Sequence, residues 1–348
     1  MSKYILPNES RADIATAIKD QLMGGAARHI APRLFPIVKT GQRAGSWYLA
    51  TFAGPSVTSG RSYGNTLSGT HKANSSKSWE TARQESRVCL EDADIEDMGG
   101  IDPAVLASAE EGLRAIGVKL DNLAYLAVKT AASTPAEISP VAPFAAIADA
   151  AVKVKRYGEP YLVCGESWLN QFVKNTTVQL TLRGLYGDRI FLDITTGVES
   201  VLSAVGVAFG VKGIIVGDDA AFTYLANSAD ATSGVVDKTN AFVVALRDMG
   251  ANPLVTAKVQ PVFGLMPVFI PGDDAEVQVE TSYDAGGKVN NVDATVWAAA
   301  LTVNAGAAKA VAIPATGWVT GLPVDTNPAA ESSSSSSSAA SSDSSSSS

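Results

Sequence analysis

The side chains able to bind metal or attack a substrate are few in this 348-residue chain: His29, His71, Cys89 and Cys164. A metal centre needs several such groups at short repeated spacings, and these four stand singly. Each cysteine lies in a strand-like run, which predicts buried free thiols rather than a disulfide. Two triplets, Gly217-Asp218-Asp219 and Gly272-Asp273-Asp274, are of a type that holds Mg²⁺ for phosphoryl transfer. Each follows an apolar strand pattern, and the chain lacks the basic template channel such chemistry needs, so both read as turns. The run Glu91, Asp92, Asp94, Glu96, Asp97 imitates a calcium loop. Asp97 stands where that loop needs glycine, however, and Pro103 where its final glutamate belongs. It reads as a solvated acidic turn, or one that meets a basic loop. "GESWL" lacks the second glycine of a nucleophile elbow, and "AGGKVN" lacks the phosphate-loop frame. In "GVAFGVKG" the helical pattern precedes the glycines, so its amides cannot be presented to a phosphate in the required order. The expectation is a protein with no catalytic residue, no cofactor and no metal.

Composition points to a globular chain of about two domains, with 46% hydrophobic and 18% charged residues. "MSKYILPNES" has no cationic start leading into an apolar core, so no signal peptide is expected. Val201 to Gly217 is the most apolar stretch, yet glycine recurs in it and Lys212 interrupts it. It reads as a helix followed by a buried strand in a soluble protein, with no membrane partner. The net charge of −8 conceals a split: residues 1–90 hold 12 Lys and Arg against 5 Asp and Glu, and the rest hold 15 against 30. The basic quarter suits either nucleic acid or the acidic body of a neighbouring copy.

The clearest element is "DPAVLASAEEGLRAIGVKLDNLAYLAVKTAAS", from Asp102 to Ser133. Leu106, Ala109, Leu113, Ile116, Leu120, Leu123 and Ala127 step by three and four residues, which predicts one apolar seam along a rod of roughly 45 Å. Asp102 suits the N-cap and Pro103 the first helical position. Gly112 and Gly117 each weaken the interior by about 1 kcal/mol relative to alanine, so packing along the seam must hold the rod.

Before the rod, residues 1–35 read as an arm with one helix, "SRADIATAIKDQLMGG", capped by Ser10 and ended by Gly24-Gly25. Residues 36–85 read as strand, long polar excursion, strand. Trp47, Tyr48 and Trp79 are expected to anchor the two strands, with Arg61, His71, Lys72 and Lys77 beyond or beside them. After the rod, residues 157–255 alternate strand and helix ("PYLVCG", "ESWLNQFVKN", "DRIFLDI", "KGIIVG", "NAFVVAL"). Thr196 and Glu199 form a capping box within that run. Period-two alternation around Gly286-Gly287 then predicts a long antiparallel hairpin. "ESSSSSSSAASSDSSSSS" cannot bury anything and is expected to be disordered.

This order of parts, with "APRLFPIVKTGQRAGSWYLATF", "WETARQESRVCLEDADIEDMGG" running into the rod, and "GVESVLSAVGVAFGVKGIIVGDDA", resembles the major capsid proteins of tailed phages. The resemblance implies an α+β fold of the Hong Kong 97 type. Its parts are an N-terminal arm (1–35), an extended loop (36–85), and a peripheral domain (86–156) with a spine helix at 103–132. An axial domain (157–255) and return strands of the peripheral domain (256–304) follow. Residues 305–328 form a C-terminal extension without counterpart, and 329–348 the serine-rich tail. It further implies a structural protein without enzymatic activity, joining copies of itself as hexamers and pentamers of an icosahedral shell. Scaffold, portal and decoration proteins are possible partners, and packaged double-stranded DNA is held by non-specific contact. The chain would reside in the virion, and in the host cytoplasm during assembly. Arg61, Lys72, Lys77 and Arg83 would then meet Glu91, Asp92 and Asp94 of a neighbour. Some members cross-link through a lysine, an asparagine and a glutamate. Lys72 and Lys77 are placed like the lysine and Asn290 or Asn291 could serve as partner, but nothing identifies the glutamate, and no cross-link is expected. An encapsulin-like compartment and a nucleic-acid-binding protein are the alternatives.

Overall fold

The computed structural model describes residues 29–51, 74–97, 101–132, 134–187, 205–217, 239–270, 278–284, 289–315 and 318. The arm helix, the polar excursion with Arg61, His71 and Lys72, "DRIFLDI", the Thr196–Glu199 box, both aspartate pairs and the serine tail lie outside them.

A short helix α1 (Ala31–Leu34) carries Pro32 in its first turn, where no amide partner is missed, and leads into β1 (Ile37–Thr40). Strands β2 (Ala44–Ala50) and β3 (Asn74–Glu80) make a two-stranded antiparallel hairpin. Past Thr81 the chain continues as β4 (Ala82–Leu90) and turns through α2 (Asp92–Asp97) into the long helix α3 (Ile101–Ala131). The acidic run therefore begins at the end of a strand and forms a short helix rather than a turn.

Helix α3 has 31 residues and a length of about 46 Å. It lies across β11 (Val289–Ala298), which is central in its sheet, and β4, which pairs with β11; β1, β9 (Gly264–Phe269), β10 (Gln278–Asp284) and β12 (Leu301–Thr302) belong to the same sheet. β10 and β11 form the long hairpin that the alternation predicts, in register from Gln278↔Thr295 to Asp284↔Val289. Val292, Ala294, Val296 and Ala298 are buried, the alternate residues that one face of β11 presents.

The apolar seam differs from its expected course. Ala109, Leu113 and Ile116 are buried, but Leu106 is 42% exposed, and Leu120, Leu123 and Ala127 are half-buried. The buried stripe runs through Ala104, Val105, Ser108, Ala109, Leu113 and Ile116 to Ala124, Tyr125 and Val128. A strict three-and-four alternation repeats every 3.5 residues, whereas a helix of 3.6 on a sheet drifts by about 20° per heptad. The small side chains let the helix come close. A Cβ at Gly112 would lie 3.5 Å from that of Ala294 and 3.6 Å from Ser86 Oγ.

The other end of α3 reaches the second sheet, ordered β5 (Ala136–Glu137), β13 (Ala308–Ala312), β8 (Asn240–Leu246), β6 (Glu159–Gly165), β7 (Gly213–Gly217). Tyr125 of α3 meets Phe242 of β8 edge-on at 5.3 Å. One continuous hydrophobic core thus runs from the first sheet along α3 to the second. Helix α4 (Ala145–Val154), expected in the peripheral domain, packs on β6, β8 and β13 of this second sheet. Residues 308–312, set apart as an extension in the sequence reading, are a strand inside it. Cys164 is buried in β6 as expected, but Cys89 is exposed on β4, and the two form no disulfide.

Helices α5 (Glu166–Val173) and α6 (Thr176–Tyr186) complete the second unit. Buried Asn175 caps α6 through Thr177 and Val178 N–H, and its own amide donates to Pro140 O and Trp318 O. Trp318 in turn donates its indole N–H to Gln171 O at 2.7 Å and lies against Phe172, which straps the late chain onto this core.

Candidate assembly interface

The β2–β3 hairpin belongs to neither large sheet and forms a two-stranded sheet of its own. Its register, Gly45↔Trp79, Trp47↔Lys77 and Leu49↔Ser75, places these residues on one face. On that face Trp47 and Trp79 touch, centroids 4.8 Å apart, and a Cβ at Gly45 would come within 3.0 Å of the Trp79 ring. Leu49 and Trp47 pack with Val38, Leu265 and Val303 and against helix α7 (Pro253–Val259), which Asn252 caps. Two of the three expected anchors therefore serve. Tyr48 does not: alternation puts it on the other face with Ser46, Ser76 and Ser78, and it is 68% exposed.

The root of the hairpin is fixed at both strands. The carbonyl of Arg43 accepts the backbone N–H of Thr81 at 2.7 Å and its hydroxyl at 3.0 Å. The Arg43 guanidinium lies 4.0 Å from the ring centre of Trp297 in β11 and 5.2 Å from that of Phe269 in β9. At the far end of β2, the buried amide of Asn304 donates to Ala50 O and to Val262 O.

Of the charges expected at an interface, Lys77 sits opposite Trp47 on the inner face of the hairpin and is half-buried. Arg83 is exposed on β4 and pairs with Glu85 of the same strand at 3.0 Å, a contact that water largely screens. Glu91 is exposed, while Asp92 and Asp94 belong to α2. Arg61 and Lys72 lie outside the described residues. Asn290 and Asn291 lie within β11, paired on one side with β4 and on the other with β10.

Three polar arrangements escaped the sequence reading. Arg87 grips Asp293 across the strands with two hydrogen bonds of 2.6 and 2.9 Å. That hydrogen bonding, and then the carboxylate's charge, raise the pKa of Arg87. In the buried stripe of α3, Asp121 accepts the Ala31 N–H at 2.8 Å and meets His29 Nδ1 at 2.7 Å, tying α1 to the spine. A charged residue interrupting an apolar seam was the available signal. The third is a cavity of about 270 Å³ lined by Arg33, Glu159, Tyr161, Lys212, Arg247 and Asp248. Lys212 and Glu159 form an ion pair there, and Arg247 is held by Gln260 and the Tyr157 carbonyl. The Glu159 hydrogen bond raises Lys212 above the ordinary value of 10.5. Whatever stability this exposed pair gives is complete below that pH and fades as pH rises through the raised value. The cavity pairs no nucleophile with a base. Among the described residues no group of acidic, His or Cys side chains is arranged to hold a metal, and no helix is long and apolar enough to cross a membrane.

No protein-family model matches the sequence, and no curated protein matches it. Among solved structures, a phage-related protein from Bordetella bronchiseptica superposes with a TM-score of 0.57 at 14% identity, over 93% of this chain and 100% of that one. The virus-like particle from Pyrococcus furiosus gives 0.48 at 10% identity, over 87% of this chain and 98% of that chain. Mycobacterium phage Bobi gives 0.47 at 16%, over 87% and 98%. The fold is the expected α+β architecture of the Hong Kong 97 type: a hairpin rooted on a sheet, a spine helix behind that sheet, and a compact second unit at the spine's far end.

Proposed function

We propose that this chain, folded in that way, is the structural subunit of a phage capsid: a major capsid protein whose copies close into an icosahedral shell around DNA. The observation that carries the reading is the hairpin. It forms a sheet of its own that packs on the body by one face, while Ser46, Tyr48, Ser76 and Ser78 of the other face are exposed. An exposed tyrosine is a favoured anchor at contact surfaces, where it supplies buried area at little entropic cost. Helix α3 gives such a subunit a stiff backing, since its core is continuous from one sheet to the other. The name of the Bordetella protein, phage-related, and its full-length coverage support the same reading.

In the shell, Arg61, Lys72 and Lys77 of the extended loop meet carboxylates of the adjacent copy, with Glu91, Asp92 and Asp94 as candidates. Each exposed pair contributes about 0–1 kcal/mol. A closed shell repeats the pair at every equivalent interface, so weak contacts sum. The subunit performs no chemistry of its own. Scaffold, portal and decoration proteins, assembly in the host cytoplasm and the virion as final location belong to the same proposal.

Electron microscopy of the protein expressed alone tests it. Uniform closed shells, or hexamers and pentamers of one size, are expected, and DNA inside purified shells would set them apart from an encapsulin-like compartment. Small monodisperse particles that bind DNA with affinity falling steeply as salt rises would favour a nucleic-acid-binding protein instead. Reversing the charges of Arg61, Lys72 and Lys77 together is expected to block shell formation while leaving the thermal transition of the subunit in place. Shells that form normally from that variant would remove these residues from the interface.

A further inference from the structure

A two-stranded ribbon twists and swings easily, so its direction has to be set at its root. At this end, away from the packing of Leu49 and the Asn304 bond to Ala50 O, one residue links both strands to the body. Arg43 immediately precedes β2, and its carbonyl holds Thr81, the buried residue between β3 and β4. Its guanidinium covers Trp297 at 4.0 Å and Phe269 at 5.2 Å, rings that meet each other at 90° with centroids 6.3 Å apart. The backbone of Arg43 therefore joins the two strands of the hairpin, and its side chain joins the hairpin to two strands of the body. A planar guanidinium lying on an indole restricts both tilt and rotation, which the point charge of an ammonium does not.

We infer that Arg43 is a positioning residue: its stacking on Trp297 and Phe269 sets the angle at which the extended loop leaves the body, and through that angle the curvature of the shell. The part concerning curvature rests on the capsid reading above. Arg43 itself is exposed and belongs to neither hydrophobic cluster. Its removal should redirect the hairpin without unfolding the subunit.

The test compares the full chain with R43A and R43K by three measurements. These are thermal unfolding, amide hydrogen exchange across residues 44–50 and 74–80, and the distribution of particle diameters in electron micrographs. For R43A we expect a thermal midpoint within about 4 °C of the parent and hairpin exchange roughly three- to tenfold faster. Its particles should spread over several diameters where the parent gives one. R43K keeps the charge but not the flat stack, and is expected to recover part of the protection and narrow the spread. Parent-like exchange and parent-like diameters in R43A would overturn the inference. So would a fall of more than about 10 °C with protection lost throughout, which would make Arg43 a general structural residue. If the parent chain forms no particles, self-assembly of the chain alone fails, and the part concerning curvature falls with it. Hairpin exchange in R43A still decides whether this contact holds the loop, and unchanged exchange overturns it.

Discussion

Trp168 and Phe172 in the second unit, and Trp47 and Trp79 in the hairpin, are aromatic pairs with the same centroid separation of 4.8 Å. Their surroundings differ. Trp168 and Phe172 are fully buried, Phe144, Phe209 and Trp318 close around Phe172, and the Trp168 indole N–H has an acceptor in the Thr239 carbonyl at 3.2 Å. Trp47 is half-buried on a two-stranded ribbon, and the Trp79 indole nitrogen is buried with no hydrogen-bond partner among the described residues. One pair is the centre of a core and the other is the inner lining of a two-stranded ribbon. An equal ring contact thus stabilises the whole subunit in the first case and only the arm's attachment in the second.

Truncation separates the two most sharply. Trp168→Ala leaves a large cavity among aromatic rings and is expected to cost about 3–5 kcal/mol, read as a lower denaturant midpoint for the whole transition. Trp79→Ala is expected to cost less than half of that globally, because the hairpin can open while both sheets stay folded. Its larger effect falls on exchange protection in β2 and β3 and on particle yield. Equal global losses from the two variants would mean that the hairpin belongs to the cooperative core, and the contrast would collapse.

The two regions were also unequally legible in the sequence. Strands β6 and β8 are continuous apolar runs, and "ESWLNQFVKN" carries a helical period, so local pattern alone locates them. The β10–β11 hairpin announces itself by alternation, and α3 by its length and its start at Asp102-Pro103. Strand β13 does not. Its sequence, AKAVA, has little strand preference, and its pairing with β8 and β5 supplies what its composition lacks. At the interface, Trp47 and Trp79 were recognisable as anchors, but Tyr48 was misplaced, since one residue's shift along a strand moves a side chain to the opposite face. The two rings that meet the Arg43 side chain lie more than 200 residues away in the chain, beyond the reach of any local spacing.

A smaller test concerns the tie between α1 and the spine, which lies apart from both aromatic pairs. Asp121→Ala removes the acceptor of the buried Ala31 N–H and the partner of His29, and is expected to cost about 1–3 kcal/mol. Asp121→Asn keeps a carbonyl for Ala31 and should lose less. Denaturant unfolding of the two variants measures the difference. Identical losses would show that the carboxylate charge toward His29, rather than the bond to Ala31, accounts for the effect.

The finest test falls on the beam that connects the two regions. Gly112 lies where α3 crosses β4 and β11, and glycine there costs the helix about 1 kcal/mol relative to alanine. The nearest atoms to an added Cβ are Ala294 Cβ at 3.5 Å, Ser86 Oγ at 3.6 Å and Ser86 Cβ at 3.7 Å, all ordinary contacts. Nothing therefore has to move, and Gly112→Ala is expected to raise stability by up to about 1 kcal/mol, seen as a higher midpoint at unchanged denaturant slope. Because the added methyl stiffens the body and leaves the hairpin untouched, exchange in β2 and β3 should stay at the parent rate. Slower exchange there would mean that spine and arm are coupled through β4, which runs directly from one to the other.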